Sequence, residues 1–238
     1  MTTRFRPVLL AVSLVFSVAL SLRAQPLVNI ETVTVGDAGN GAVANVFAMG
    51  KYEVTIGQYT TFLNSVASVT SDSYIVDLWS EQMTSNLNIA GISRSGSGIS
   101  TDPYRYSAIG SGNRPITYVS WFDAARFCNW LHNGATSGAS TETGAYTLNG
   151  ASSGVDFTKN PGATWWIPSR NEWQKAAYYK GGGTNAGYWL YPTQSDSAPG
   201  NTIGGATNQA NHFNGVYSVT QSADFSSTQN YLTDVGVF

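Results

Sequence analysis

Few side chains in this 238-residue sequence have the chemistry of a reactive centre. Cys128 is the only thiol, and His132 and His212 are the only imidazoles. A cysteine nucleophile needs a lowered pKa, from a neighbouring base or a helix N-terminus. Cys128 instead falls in the middle of an apolar helical stripe, beside Phe127 and Leu131. That environment raises a thiol pKa and makes the residue a small, inert core group. His132 and His212 are far apart in the chain. His132 falls in the last turn of the same helix, where a partly charged imidazole suits the negative end of the dipole. No GxSxG, HExxH, CxxC or GxxxxGK[ST] pattern occurs.

Oxygen-bearing side chains are the other candidates. Asn201, Asn208, Asn211, Asn214, Asp224 and Asp234 lie in a Gly-rich segment with no helical periodicity. Side-chain and backbone oxygens in such loops suit Ca²⁺, which takes six to eight hard ligands. Asn and Asp are equally the ordinary residues of turns. The sequence alone leaves both readings open.

Three capped helices must position these groups. Trp165-Trp166-Ile167 reads as a short strand that meets Pro168 and turns into a helix at Ser169. Ser169 with Glu172 forms a capping box, and Trp173, Ala176 and Ala177 give that helix an apolar face. Thr55 with Gln58 opens a second helix, with Tyr59, Phe62, Leu63 and Val66 at helical spacing. Ser120 with Asp123 opens the third, whose buried stripe is Trp121, Ala124, Ala125, Cys128 and Leu131, widened by Phe127 and Trp130. Strands are expected over 28–35, 43–52, 116–119 and 188–191, and half a hairpin at 145–148 before the Asn149-Gly150 turn. Residues 68–113 read as a long Ser/Gly-rich connection with one short element at 74–79. Gly181–Gly183 ends the Ser169 helix.

Composition bounds the function. Charged residues make up 11% of the chain and aromatics 13%, with a formal net charge of −2 and pI ≈ 5.6. The aromatic content argues for a packed core and against disorder. There is no basic stripe for nucleic acid. Arg4 and Arg6 before an apolar run to Leu22, with a cleavage point after Ala24, predict an export signal over 1–24. The run is too short for a membrane span. An exported chain with one cysteine has no internal disulfide and must stand on packing.

Several blocks resemble the formylglycine-generating enzyme family, also called sulfatase-modifying factor domains. Residues 49–59, MGKYEVTIGQY, are similar to its "yEVTnxqY" block. Residues 113–131, NRPITYVSWFDAARFCNWL, are similar to "xPVxxVsWxdAxxyCxWl". Residues 166–173, WIPSRNEW, followed by Ala176-Ala177, are similar to "RLPTEAEWExAA", with Trp166 in place of the arginine. With Ala210–Gly215 the resemblance spans residues 28–238. It implies one α+β domain with an irregular, C-type-lectin-like fold. Enzymes of the family oxidise a sulfatase cysteine to formylglycine with oxygen, copper and a cysteine pair, and hold structural calcium. By resemblance, Asn211 is a calcium ligand, the backbone of His212 stands beside it, and Asp224 is a looser match. The family pattern continues with a "GNVWEW" block and a cysteine-bearing "RGGSW" block. The sequence reaches Phe238 without either, so it is expected to be incomplete at its C-terminus, and Cys128 aligns with a helix cysteine outside the active pair.

The resulting expectation is a secreted, periplasmic or surface domain without formylglycine-generating activity in these residues. It would be a monomeric lectin-like binding or structural module for a protein or glycan ligand. The alternative is a fragment of a copper-dependent formylglycine-generating oxidase.

Overall fold

The computed structural model describes residues 25–182, 187–205 and 207–238. The expected export segment, and Gly183 of the glycine run, lie outside them. The order of elements is β1 (Thr32–Val35), β2 (Phe47–Gly50), α1 (Ile56–Val66), α2 (Ser73–Val76), α3 (Gln82–Ser85), β3 (Ile92–Ser95), β4 (Arg105–Ala108), α4 (Trp121–His132) and α5 (Arg170–Tyr178). Small helices and two two-stranded antiparallel sheets make this an α+β fold dominated by irregular backbone. No described helix is long and apolar enough to cross a membrane.

All three expected capping boxes form. Thr55, Ser120 and Ser169 each accept from the backbone N–H three residues on. Gln58, Asp123 and Glu172 each accept from the cap residue's own N–H. Each cap satisfies two backbone donors that the helix start leaves open, and is worth about 1 kcal/mol. Helices α2 and α3, one turn each, have no side-chain cap.

The main core lies between α1 and α4. Tyr59 and Phe62 from α1 meet Phe127 and Trp130 from α4, with ring centroids 5.3–5.9 Å apart. Leu78, Met83, Ile92 and Tyr106 close it from the other side. Asn64 fastens α1 to β4. Its Nδ2 donates to the Tyr106 carbonyl at 2.9 Å and its Oδ1 accepts from the Tyr106 N–H at 3.0 Å. A side-chain amide thus pairs with the strand as another strand would.

Residues 68–113 carry more structure than their composition suggests. Ser/Gly content hides α2, α3 and the β3–β4 hairpin, paired from Ile92↔Ala108 to Ser95↔Arg105. Gly96 and Gly98 serve the hairpin connection at φ +84° and +81°. A Cβ on Gly98 would sit 2.3 Å from the Tyr104 ring. Only glycine fits such a position.

Other strand expectations fail. β1 and β2 are shorter than 28–35 and 43–52. Residues 116–119 are not a strand: Ile116 N–H bonds Val54 O, but Tyr118 at φ +59° breaks the extension. Residues 165–167 are irregular. At 188–191 there are only isolated bridges, Tyr179↔Tyr188 and Tyr191↔Ser195. Ala145, Tyr146 and Leu148 are buried but unpaired as a strand, although the turn at Asn149-Gly150 forms with both residues at positive φ. Backbone groups in these runs are satisfied partly by backbone elsewhere and partly by side chains, as where Tyr146 N–H donates to Asn129 Oδ1 and Ile167 N–H to the Tyr146 hydroxyl.

Candidate functional site

Cys128 sits where α4 faces a second, smaller cluster of Ala125, Ala145, Tyr146 and Leu148, with Phe122 and Trp166 nearby. Burial pushes its thiol up to about 12. At neutral pH essentially none of it is thiolate, the form that attacks carbon or binds copper. The expected inert role therefore has a physical cause in the packing.

The face of α4 differs from the expected stripe. Trp121 is exposed and Ala124 and Leu131 are only half-buried, whereas Asp123, Arg126 and Asn129 are buried. Arg126 is 1% exposed and grips Glu142 at two points, Nε–Oε1 2.7 Å and Nη2–Oε2 3.1 Å. Its Nη2 also donates to Ala151 O, and Tyr74 lies under the guanidinium at 4.8 Å. Asn129 donates to Thr141 O and accepts from Tyr146 N–H. Burial pushes the Asp123 carboxyl up, only partly offset by the Ser120 hydrogen bonds. The polar side of α4 thus holds the 136–161 loop. His132 adds to this, because its Nδ1 accepts from Thr164 N–H at 3.1 Å, which places the ring proton on Nε2. It latches the loop from the last turn of α4, where the sequence placed it.

Helix α5 shows the same inversion. Trp173 is 51% exposed, while Lys175 is 1% exposed. Lys175 Nζ donates to Asp37 O (3.0 Å) and Val43 O (2.9 Å), tying α5 to the β1–β2 connection.

The oxygen-rich segment is organised around Asn201. Its Nδ2 donates to His212 O (3.2 Å) and Val216 O (2.7 Å), and its own carbonyl accepts from Gln221. The His212 carbonyl also accepts from Ser218 Oγ at 3.0 Å, so both its lone pairs are engaged. Asn208, at φ +64°, caps a turn by donating to Ser197 O and Ala198 O. Asn211 Nδ2 donates to Tyr231 O (2.9 Å) and Thr233 Oγ1. Its Oδ1 has no partner among the described residues, and neither does the Asp224 carboxylate. Asn211 and Asp224 keep hard oxygen donors suited to Ca²⁺, whereas the His212 carbonyl does not. No group of three or more His, Cys, Asp or Glu able to hold a metal occurs among the described residues. Cys128, a lone protonated thiol, does not fit copper.

A family model described as the sulfatase-modifying factor enzyme 1-like domain matches residues 32–237. The chain belongs to that family. No curated protein and no solved structure matches it. In this sulfatase-modifying factor domain the matched stretch covers every element from β1 to α5.

Sequence reasoning missed Arg126, Asn129 and Lys175. In α4 a signal was present: Asp123, Arg126 and Asn129 recur every three residues on the side that also carries Trp130. In α5 no local signal marks Lys175, whose partners lie more than 130 positions away.

Proposed function

We propose that this sulfatase-modifying factor domain is an exported, C-type-lectin-like binding or structural module, and that these 238 residues do not generate formylglycine. One observation carries the reading. The only thiol, Cys128, is packed into the scaffold with its pKa raised to about 12. A copper centre that activates oxygen needs thiolates presented to solvent and substrate. The basic-then-apolar run before Gln25 supports export, and the acidic pI supports a ligand other than nucleic acid. The ligand class is a protein or glycan, and the module works as a monomer. Asn211 and Asp224 are the residues that would hold a structural Ca²⁺, supplying charge-neutralised loop closure and no chemistry.

Family membership favours a second reading, in which this scaffold belongs to a copper-dependent oxidase whose thiol pair comes from elsewhere. Cu(I) competition against a chromophoric chelator separates the two. The first reading expects no transfer of Cu(I) to the protein. Stoichiometric capture that survives Cys128→Ala would overturn it.

A further inference from the structure

One side of α5 and the segment after it line an open cavity of ≈ 240 Å³ formed by Arg170, Trp173, Gln174, Tyr178, Tyr188 and Trp189. Four of its six lining residues are aromatic. Trp173 and Tyr188 are 51% and 38% exposed, so part of each side chain reaches solvent. Trp173 and Tyr178 meet edge to face at 5.6 Å. The side chains of Arg170 and Gln174 make no hydrogen bond to the described residues, and neither do the two indole N–H groups or the two tyrosine hydroxyls.

The walls are fixed before any ligand arrives. Trp189 N–H bonds Tyr178 O at 2.8 Å, and Lys180 N–H bonds Gly187 O at 2.9 Å. Lys180 Nζ lies 4.3 Å from the Trp189 ring centre and donates to Asp196 Oδ2 at 2.9 Å. Asp196 Oδ1 accepts from Leu190 N–H. Tyr188 packs on Tyr179, whose hydroxyl donates to Asp37 at 2.6 Å. Such bracing lowers the ordering cost of binding.

We propose that this cavity is a saccharide-binding site that takes one uncharged pyranose ring of a glycan. The inference rests on the binding-module reading and names its site and ligand class. A pyranose with equatorial hydroxyls has a flat C–H face that stacks on an aromatic ring and a rim of hydroxyls that needs donors and acceptors. The cavity offers both, rings on its walls and the Arg170 guanidinium and Gln174 amide at its edge. A cationic ligand is disfavoured, because Arg170 lines the cavity and Lys180 stands over Trp189, with no carboxylate among the lining residues. A proline-rich peptide needs several successive aromatic slots. This is a single cavity, below the roughly 300 Å³ at which drug-sized sites begin.

Affinity electrophoresis and calorimetry on the chain from Gln25, with cellohexaose, chitohexaose and a proline-rich decapeptide as probes, test the assignment. Binding to one of the two saccharides is expected, with at least about tenfold loss in Trp173→Ala, a difference of about 1.4 kcal/mol. Gln174→Ala weakens binding as well, and both variants keep the parent melting midpoint because both side chains face outward. Binding to neither saccharide, binding only to the peptide, or saccharide binding untouched by both substitutions overturns it. Aldehyde formation on a sulfatase peptide would instead sink the underlying non-oxidase reading, whatever the saccharides do.

Discussion

Arg126 and Glu142 form a two-point ion pair between α4 and the 136–161 loop, with the guanidinium 1% exposed and the carboxylate 21%. Glu142 also accepts from Gly150 N–H at 2.7 Å and from Thr141 Oγ1. One carboxylate therefore fixes both the helix and the left-handed turn at Asn149-Gly150. Removing one partner strands a charge in the core and costs about 3–5 kcal/mol. Glu142→Ala and Arg126→Ala should each lower the urea midpoint by a matching amount. The Arg126→Met/Glu142→Leu double variant should recover much of the loss, since an apolar pair leaves no buried charge. A double variant as unstable as the singles would show that the pair itself supplies the stability.

Lys175 links parts of the chain that sequence separates widely. Its Nζ satisfies the Asp37 and Val43 carbonyls, and its stem lies 3.2–3.3 Å from where a Cβ on Gly41 would be. Lys175→Met keeps the stem and leaves two carbonyls unpaired. A loss of about 1–3 kcal/mol follows. Limited proteolysis should then cut first between residues 37 and 45, and unchanged protection there would contradict the role.

Glu172 gives α5 a pH dependence. Burial pushes its carboxyl up, but hydrogen bonds from Ser169 and Trp166 outweigh this and hold it below the ordinary glutamate value of 4.5. A carboxyl lowered in the folded state contributes stability that is present above its unfolded pKa and lost as pH falls through the folded value. The melting midpoint should therefore drop below pH 4.5 more steeply in the parent than in Glu172→Gln. Glutamine keeps the capping geometry and does not titrate. Parallel curves for the two proteins would refute this.

Asn211 is the residue at which calcium should act. Millimolar Ca²⁺ is expected to raise the melting midpoint of the parent. The rise should vanish in Asn211→Ala and shrink in Asp224→Ala. His212→Ala should leave it intact, because no ring nitrogen is needed. A rise that persists in Asn211→Ala would place the ion elsewhere.

Local chemistry was legible in the sequence and long-range pairing was not. The three caps are signatures of residues three apart, written in Thr55/Gln58, Ser120/Asp123 and Ser169/Glu172. All three form as read. The buried faces of α4 and α5 were misread for one reason. Hydrophobic patterning sends Arg126 and Lys175 outward, whereas distant carboxylate and carbonyl partners hold them inside. The β3–β4 hairpin was invisible because Ile-Ser-Arg-Ser carries no alternation, and Asn64 supplies its recognition from another element. In the candidate calcium segment the residue types were readable, but the two hydrogen bonds that occupy the His212 carbonyl were not.

The central claim is that these residues form a scaffold whose only thiol is partly buried against its second core cluster and held protonated there. It is tested most directly by incubating the chain with a cysteine-containing sulfatase peptide, Cu(I) and oxygen, and trapping any aldehyde as a hydrazone. The account predicts no hydrazone above the peptide-and-copper control. Aldehyde formed in proportion to protein, and abolished by Cys128→Ala, would contradict it.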